Sequence, residues 1–463
     1  MDIETIEGVT SREITERIEL KRNFFQTHTT KEMDFRIRKL KGLRGAIEKY
    51  EEEITQALWK DLHKSKEEAY LTEISIVTQE IDLHIKKLKS WAKPKKVSVP
   101  VHLMPSNAKI TYEPLGVALI IAPWNYPFQL LFNPLAGAIS SGCCAVLKPS
   151  EFTPNTAAVM EKIIAETFPQ NYISLIQGGK ETGELLLKQR WDIIFFTGST
   201  QVGKIVMKAA AEHLTPVILE LGGKSPAIID ETANIALTAK RIAWGKTINA
   251  GQTCIAPDYL LVHKNVKNEL LREIATSIKE MHGEEIGKSS YYGRIVHEKA
   301  YDRLINLMEG EKLYSGGESN REDLFIEPTI LDEVAKDSRV MQEEIFGPVL
   351  PVMTFSELKE ATDYINSGEK PLALYYFGKK EKANDVIAET SSGGVCINDT
   401  LMHISNHNLP FGGVGASGMG SYHGKESFLA FSHRRSVVRT PTWIDIPFKY
   451  APFKYFKLIR KMI

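Results

Sequence analysis

The stretch that decides the fold is GVALIIAPWNYP, residues 116–127. Its first seven residues are all apolar or glycine, without the polar alternation of a strand that has one face in water. A strand that is apolar on both faces is typical of a parallel sheet covered on both sides. The segment therefore predicts a buried parallel strand that ends in a proline-containing turn.

Strands and helices alternate beyond this segment. The predicted strands are CCAVLKP, YISLIQG and DIIFFTG, and the predicted helices begin at about Pro127 and after Thr153, Lys180 and Gln201. This repeated βαβ signal predicts a doubly wound parallel sheet, whose ligands lie at the carboxyl ends of its strands. Further segments from Val217 to about Pro410 predict a second α/β domain.

Apolar residues recur at spacings of three and four from about Met33 to Lys93, which predicts two amphipathic helices that pack on another layer. A break at Pro94 and Pro100 follows them, and KITYEP (109–114) is a further predicted strand.

The bulk properties are those of a folded enzyme. A chain of 463 residues suggests two or three domains of roughly 100 to 200 residues each. Its 58 basic and 58 acidic residues leave no net charge, so we expect no nucleic-acid partner. No stretch reaches the roughly 20 apolar residues of a spanning helix, and the polar, acidic N-terminus does not resemble a targeting segment. We expect a soluble, cytoplasmic protein.

The four cysteines differ in their surroundings. Cys143, Cys144 and Cys396 lie in strand-like segments, where a buried thiol acts as a small hydrophobe. Cys254 lies in the loop-like NAGQTCIAP, which makes it the candidate nucleophile, with a buried structural thiol as an equal alternative. The spacings match no metal site, so we predict no metal and expect reduced thiols.

Two polar residues could assist a nucleophilic cysteine. Asn125 follows the buried strand, and its side-chain N–H could bind an oxyanion, although asparagine here also suits an ordinary turn. Glu220, in VILELGGKSP, is a charge within an apolar run. Unpaired burial would raise its pKa and suit a general base, and a structural ion pair is the alternative.

Two loops at the predicted ligand edge could hold a nucleotide. Gly198 and Ser199, in FFTGSTQVGK, stand where backbone amides at a helix N-terminus bind phosphate, and a simple tight turn is the alternative. Ile205 replaces the hydroxyl residue that a triphosphate-binding loop needs. Lys148 and Glu151, in KPSE, could contact ribose or phosphate, or form a solvated salt bridge.

The motifs PWNYP, KPSE, FTGSTQVGK, LELGGKSP, GQTCIAPDY, EEIFGP and LPFGGVGASGMGSYHG occur in this order along nearly the whole chain. In order and spacing they resemble the aldehyde dehydrogenase superfamily. The cysteine motif and the chain ending look most like the class 3 branch, which includes fatty and aromatic aldehyde dehydrogenases. The resemblance implies a Rossmann-like doubly wound cofactor domain, a second α/β catalytic domain and a small β bridging element.

The resemblance also implies domain bounds. The cofactor domain would comprise residues 1–97 and 113–220, the catalytic domain residues 221–411, the bridging strands residues 98–112 and 431–441, and a basic tail residues 442–463. The bridging strands imply a homodimer that extends a sheet. We expect the tail to pack against the partner subunit, with contact to an anionic membrane as the less favoured alternative.

The resemblance assigns the chemistry to particular residues. Cys254 would be the nucleophile, Asn125 and the backbone N–H of Cys254 would hold the oxyanion, and Glu220 would be the general base. The implied cofactor contacts are Glu344 to the nicotinamide ribose, Phe346 beside the ring, Lys148 and Glu151 to the adenosine ribose, and Gly198, Ser199 and Trp124 along the dinucleotide.

The implied reaction is NAD(P)-dependent oxidation of a medium-chain, long-chain or aromatic aldehyde to its acid, through a thiohemiacetal and a thioester. Because Glu151 would repel the extra phosphate of NADP, we predict that NAD is preferred and NADP tolerated. Three alternatives remain: an acylating enzyme that uses coenzyme A, which Glu220 disfavours, an esterase side activity, and a silent scaffold. His403 and His407 could border the substrate entrance or be exposed loop residues.

Overall fold

The computed structural model describes residues 10–445, 449–453 and 455–460. Its strands are β1 (Lys95–Val97), β2 (Asn107–Pro114), β3 (Val117–Ile121), β4 (Cys144–Lys148), β5 (Ile173–Leu175), β6 (Ile193–Thr197), β7 (Val217–Glu220), β8 (Pro226–Ile229), β9 (Tyr259–His263), β10 (Lys312–Ser315), β11 (Ser319–Asn320), β12 (Phe325–Ile326), β13 (Thr329–Asp332), β14 (Val349–Phe355), β15 (Ala373–Phe377), β16 (Gly394–Ile397), β17 (Gly418–Met419) and β18 (Ser432–Arg439).

The helices connect these strands and cover the sheets. They are α1 (Ser11–Gln26), α2 (Met33–Lys49), α3 (Glu51–Leu62), α4 (Lys66–Ala69), α5 (Ser75–Trp91), α6 (Gln129–Ser141), α7 (Pro154–Thr167), α8 (Lys180–Leu187), α9 (Thr200–Ala211), α10 (Ile235–Thr247), α11 (Lys267–His282), α12 (Glu298–Met308), α13 (Arg339–Gln342), α14 (Leu358–Ser367), α15 (Lys380–Glu389), α16 (Lys425–Ala430) and α17 (Phe456–Ile459).

The first sheet has six strands in the order β17–β7–β6–β3–β4–β5, and all its pairings are parallel except that of β17 with β7. The sequence prediction of a buried parallel strand is confirmed in β3, whose residues are buried except for the partly buried Ile121 at its end. From β3 the chain builds outward to β4 and β5 and then returns to place β6 on the other side of β3. The strand order therefore reverses between β3 and β6, and the crevice at such a switch point is the usual ligand site of an open α/β sheet.

The second sheet has seven strands in the order β10–β13–β14–β9–β8–β15–β16. Only β10, at one edge, runs antiparallel to its neighbour. The predicted second α/β unit is therefore present. A third sheet joins β1, β2 and β18 in antiparallel pairing, and β2 bears out the strand predicted at KITYEP.

The prediction of two helices over Met33–Lys93 was wrong in number. The helix is interrupted at Tyr50 between α2 and α3, and a one-turn π-helix at Tyr70–Ile74 joins α4 to α5. A further helix, α1, was not predicted, although Thr10 and Glu13 form a capping box at its start. Short breaks of this kind leave the three-to-four spacing of apolar residues nearly intact, which is why the sequence pattern merged these helices.

Two predicted segments fall partly on residues outside this description. Residues 1–9 of the predicted cofactor domain and residues 446–448, 454 and 461–463 of the predicted tail lie outside the described residues. Among the residues that are described, no helix is long and apolar enough to cross a membrane.

Candidate active site

The candidate site lies between the two large sheets. The first sheet faces the site with the carboxyl ends of its strands, and the second sheet faces it with the amino ends. The first sheet contributes loops at the carboxyl ends of β3, β6 and β7. The second sheet contributes the segments that enter β8, β9 and β14, and so presents its amino edge. Cys254 lies in the loop just before β9, which places the predicted nucleophile on the opposite strand end from the other predicted catalytic residues.

A cavity of about 480 Å³ opens on this junction. Cys254 and Glu220 both line it. Most of its remaining wall is apolar, with side chains that include Leu71, Ile76, Leu130, Trp244, Met281, Leu401, Ile404 and Phe411. An apolar wall around a thiol and a carboxyl group suits a ligand that carries one reactive polar group on an apolar body.

The Cys254 thiol lies in an electrostatically negative surrounding. Burial, together with the charges of Glu344 and Glu220, raises the pKa of the thiol to about 12, while hydrogen bonds from the backbone N–H groups of Cys254 and Ile255 act in the opposite direction. The sulfur therefore carries its proton at neutral pH, and attack on a carbonyl needs a base to accept that proton.

Glu220 ends β7 and is 3% exposed. Neither of its carboxylate oxygens has a hydrogen-bond partner in the described part of the chain. Burial alone raises the pKa of this carboxyl group well above its usual range. The ion pair left open by the sequence is absent among these residues, and a carboxyl group in this state is a strong base when ionised.

Asn125 is buried, and its side-chain amide donates to the backbone oxygen of Gln252 at 3.0 Å. The backbone oxygen of Asn125 accepts from Lys64 Nζ at 2.7 Å and from Asn249 Nδ2 at 2.8 Å. These bonds join the turn after β3 to the Cys254 loop. One N–H of the Asn125 amide remains for a further acceptor, because the amide nitrogen carries two hydrogens.

The predicted phosphate turn follows β6. Gly198 leads into α9, and Ser199 caps that helix by accepting from the N–H of Val202. The turn flanks the switch point, so the free N–H groups of the first turn of α9 are placed to bind an anion.

Lys148 and Glu151 emerge beside the switch point at the end of β4. Lys148 is buried, and its ammonium donates to Glu151 Oε2 at 3.1 Å, while Glu151 is exposed. The salt bridge that the sequence left open as an alternative is therefore formed, with its acidic member accessible to a ligand.

Glu344 lines a second cavity of about 470 Å³ with Gly222 and Gly223. A Cβ atom at Gly222 would lie 2.1 Å from Glu344 Oε2, so only glycine allows this approach. Burial and the charge of Asp258 raise the pKa of Glu344 to about 8. The wall of this cavity is rich in polar residues, in contrast to that of the first.

Trp124 and Phe346 come together although they are far apart in sequence. Their ring centroids lie 5.3 Å apart in an edge-to-face arrangement, and Phe346 adopts a left-handed backbone conformation with φ +50°. The site thus joins predicted residues from the turn after β3 and from the segment before β14.

The sequence reasoning missed several residues of the first cavity. Glu68 and His282 line it, and Asn249 donates to the backbone oxygens of Asn125 and Gln252 near Cys254. Only Asn249 carried a sequence signal, since it stands five residues before Cys254 in the same motif. Glu68 and His282 lie on helices whose pattern indicates packing alone.

Two secondary expectations need correction. Cys396, predicted to be buried, is half-buried in β16. His407 is neither at the cavity wall nor a free loop residue, because its Nδ1 hydrogen-bonds to the buried Glu80 at 2.8 Å. Among the described residues, no cluster of His, Cys, Asp and Glu could hold a metal ion.

The aldehyde dehydrogenase family profile matches residues 2–437. The chain belongs to the aldehyde dehydrogenase family. This confirms the resemblance drawn from the seven motifs, and the α/β fold with parallel Rossmann-like sheets is the fold of the family's solved structures.

Curated aldehyde dehydrogenases are similar over nearly the full length of this one. The 4,4'-diaponeurosporen-aldehyde dehydrogenase of Staphylococcus aureus is 51% identical over 445 residues, which cover 95% of this chain and 97% of the relative. Aldehyde dehydrogenase family 3 member A2 of Macaca fascicularis is 46% identical over 89% of this chain and 86% of its own length. The dimeric NADP-preferring aldehyde dehydrogenase of Canis lupus familiaris is 45% identical over 95% of this chain and 98% of its own.

A solved aldehyde dehydrogenase structure agrees closely. The substrate-bound state of Staphylococcus aureus AldH superimposes with a TM-score of 0.95 at 48% identity and covers 100% of both chains. The protein is therefore an aldehyde-oxidising enzyme whose relatives include class 3 members.

Proposed function

We propose that this aldehyde dehydrogenase oxidises apolar aldehydes with NAD(P) through a covalent thioester on Cys254. The observation that carries the proposal is the presence of Cys254 and the unpaired carboxyl group of Glu220 in the wall of one largely apolar cavity. A nucleophile and a strong base on one cavity are what a covalent mechanism followed by hydrolysis requires.

In the first step the sulfur of Cys254 attacks the aldehyde carbon. The thiol proton passes to the ionised carboxylate of Glu220, which lines the same cavity, and Glu220 returns the proton to solvent before the hydrolysis step. The free N–H of Asn125 and the backbone N–H of Cys254 stabilise the oxyanion of the thiohemiacetal. Loss of one such donor typically costs on the order of 100-fold to 1000-fold in rate.

Glu220 acts after oxidation to the thioester. Its ionised form takes a proton from a water molecule, which attacks the thioester carbon and releases the acid and the Cys254 thiol. The apolar surrounding raises the proton affinity of Glu220 and keeps the carboxylate free of competing partners.

The residues present fit a nicotinamide dinucleotide. The N-terminus of α9, with Gly198 and Ser199, would hold the phosphates. Lys148 and Glu151 would contact one ribose, and Glu344 would contact the other. Glu344 lies beside Gly222, where any side chain would clash with it. Trp124 and Phe346 would border the nicotinamide. When bound, the nicotinamide accepts the hydride that leaves the substrate carbon.

We propose NAD as the preferred cofactor, with NADP tolerated. The exposed carboxylate of Glu151 supports this preference because it would repel a ribose phosphate. The canine relative carries the description NADP-preferring, so the ratio of initial rates with the two cofactors is a direct test. A clear NADP preference would refute this part of the proposal.

For the substrate we propose medium-chain, long-chain or aromatic aldehydes. The apolar cavity wall supports this class, and the staphylococcal relative is named as a 4,4'-diaponeurosporen-aldehyde dehydrogenase. Short polar aldehydes would bury less apolar surface in the cavity and bind more weakly.

For assembly and location we propose a cytoplasmic homodimer, with the domain bounds that the resemblance implies. Strand β18 pairs on one side with β2, and no strand of the described residues pairs with its other edge, which could extend the sheet across a two-fold axis. The four free cysteines are in keeping with a reducing compartment. Light scattering that gives a monomer mass would contradict the dimer.

The test is formation of reduced cofactor, followed by absorbance, with short, long and aromatic aldehydes and either NAD or NADP. We expect turnover with long aldehydes and its complete loss in Cys254→Ala, with a matched Cys396→Ala variant as control because Cys396 lies outside the cavity. Product that appears only with coenzyme A would indicate the acylating reaction. Ester hydrolysis without aldehyde oxidation would indicate an esterase, and no turnover of any kind a silent scaffold.

A further inference from the structure

The loop that leads to Cys254 contains a turn that its residues do not favour. Asn249 and Ala250 both adopt the left-handed conformation, with φ +50° at each residue. Asparagine tolerates this conformation, whereas alanine is disfavoured by its Cβ atom. Two consecutive left-handed residues without glycine persist only where surrounding contacts hold them.

Side-chain amides form some of the contacts that hold the left-handed turn. Asn249 Nδ2 donates to the backbone oxygens of Asn125 at 2.8 Å and Gln252 at 3.1 Å. The side-chain amide of Gln252 donates to the backbone oxygens of Asn249 and Arg294. The two Asn249 bonds connect the turn to Asn125 and to Gln252, which stands two residues before Cys254, so the shape of the turn affects the distance between Asn125 and Cys254.

The carboxyl group of Glu68 also holds the turn. Glu68, at the end of α4, accepts the backbone N–H of Asn249 through Oε1 at 2.9 Å. This is the first N–H of the left-handed pair, so the carboxyl oxygen that accepts it fixes the orientation of the backbone where the turn begins. The contact spans 181 residues of sequence and joins the N-terminal helices to the catalytic loop.

We propose that Glu68 is a positioning residue that holds the left-handed turn at Asn249 and Ala250 and so keeps Asn125 aligned with Cys254. The inference rests on the proposed function, since it assigns to Glu68 a role that acts through the nucleophile and its oxyanion donor. It gives the α4 segment a part in catalysis beyond packing. Because Glu68 also lines the cavity, the alternative is a direct contact between its charge and the substrate.

The experiment compares Glu68→Ala with Glu68→Gln. Glutamine keeps an oxygen acceptor for the Asn249 N–H and removes the charge, whereas alanine removes both. We expect Glu68→Ala to lower kcat by about tenfold to 100-fold with little change in KM, since small misplacements of reacting groups cost this much. Glu68→Gln should retain most of the turnover. The adjacent, exposed Glu67→Ala is the matched control and should behave as wild type.

A second variant tests the strain itself. Ala250→Gly makes the left-handed conformation acceptable, so Glu68→Ala/Ala250→Gly should recover part of the kcat lost in Glu68→Ala. The alkylation rate of Cys254 by iodoacetamide, which needs no aldehyde, should change in Glu68→Ala and return towards wild type in the double variant. Thermal unfolding of all variants identifies any that fail to fold.

Three results for the Glu68 variants would overturn the inference. A Glu68→Ala enzyme with unchanged kcat overturns it, and so does a Glu68→Gln enzyme as impaired as Glu68→Ala, which would show that the charge acts on the substrate. A change confined to KM would likewise show that Glu68 acts directly on the substrate and would overturn the inference. Retention of activity in Cys254→Ala would instead overturn the proposed function, and that variant is therefore measured first.

Discussion

Glu220 and Glu80 are both buried, but the two glutamates differ in their hydrogen-bond partners. Glu220 at the cavity is 3% exposed and has no hydrogen-bond partner among the described residues. Glu80, in α5, is fully buried and accepts from His84, His407 and, at α16, the N–H of Gly424 and the hydroxyl of Ser427.

The partners reverse the effect of burial on the pKa. Burial raises the pKa of Glu220 well above its usual range. At Glu80 burial acts in the same direction, but hydrogen bonds from His407 and His84 and the charges of His84 and His423 prevail and hold the pKa well below the usual range. A buried carboxylate with all its lone pairs satisfied is a structural anchor, whereas one without partners is a candidate base. Five substitution or pH experiments test whether the two glutamates differ in this way.

The largest effect is expected from Glu220→Gln. Loss of the base should lower kcat by roughly 100-fold to 10,000-fold, because general-base catalysis contributes about that much. Stability at neutral pH should not fall, since the ionised Glu220 costs free energy in its apolar surrounding. Steady-state kinetics and thermal unfolding measure the two effects.

The pH profile checks the same role. Because the pKa of Glu220 is raised, the wild-type kcat should rise with pH over a range above 4.5, and Glu220→Gln should lack this rise. A variant with normal kcat, or one that unfolds at a lower temperature than wild type, would place Glu220 with Glu80 as a structural residue.

The next largest effect is expected from Glu80→Ala. The substitution leaves four donors, most of them buried, without an acceptor, which should lower the free energy of unfolding by roughly 3 kcal/mol. Glu80→Gln keeps one acceptor oxygen and should cost less. Equilibrium denaturation measures the change, and kcat of the folded fraction should stay near that of wild type. A large loss of kcat without loss of stability would contradict the structural assignment.

The pH dependence of stability should separate the two residues further. Since the folded pKa of Glu80 is depressed, its contribution is fully present above its ordinary value of 4.5 and is lost as pH falls through the folded pKa. The stability difference between wild type and Glu80→Gln should therefore shrink below about pH 4.5. Denaturation curves over this range test it, and a constant difference would show that the Glu80 charge contributes nothing.

The smallest effect is expected from His407→Ala. His407 supplies one of the four hydrogen bonds to Glu80, and its side chain is 18% exposed, so water can replace it in part. The free energy of unfolding should fall by about 1 kcal/mol. A decrease as large as that of Glu80→Ala would mean that the four bonds form a single cooperative unit.

The sequence predicted the parts of the fold in which local pattern and burial coincide. Strands β3, β4 and β6 are apolar apart from Lys148 and Thr197 at the ends of β4 and β6, and the alternation with helices placed the loops after them at one sheet edge. The N-terminal helices were harder, because the breaks at Tyr50 and in the π-helix do not disturb the apolar period. The seven motifs identified the family and proposed every catalytic residue, since each motif carries its residue type within a few positions.

By itself, the amino-acid sequence determined the α/β class, the family and the candidate chemistry of Cys254, Glu220 and Asn125. The tertiary structure was needed to show which edge of each sheet faces the site, which buried glutamate has no hydrogen-bond partner among the described residues, and that Glu68 contacts Asn249. The physical reason is that hydrogen bonds such as those to Glu80 and from Asn249 join residues more than 100 positions apart. The local sequence pattern indicates burial and conformation. The pKa of a side chain, in contrast, depends on hydrogen-bond partners and charges that only the folded chain brings together.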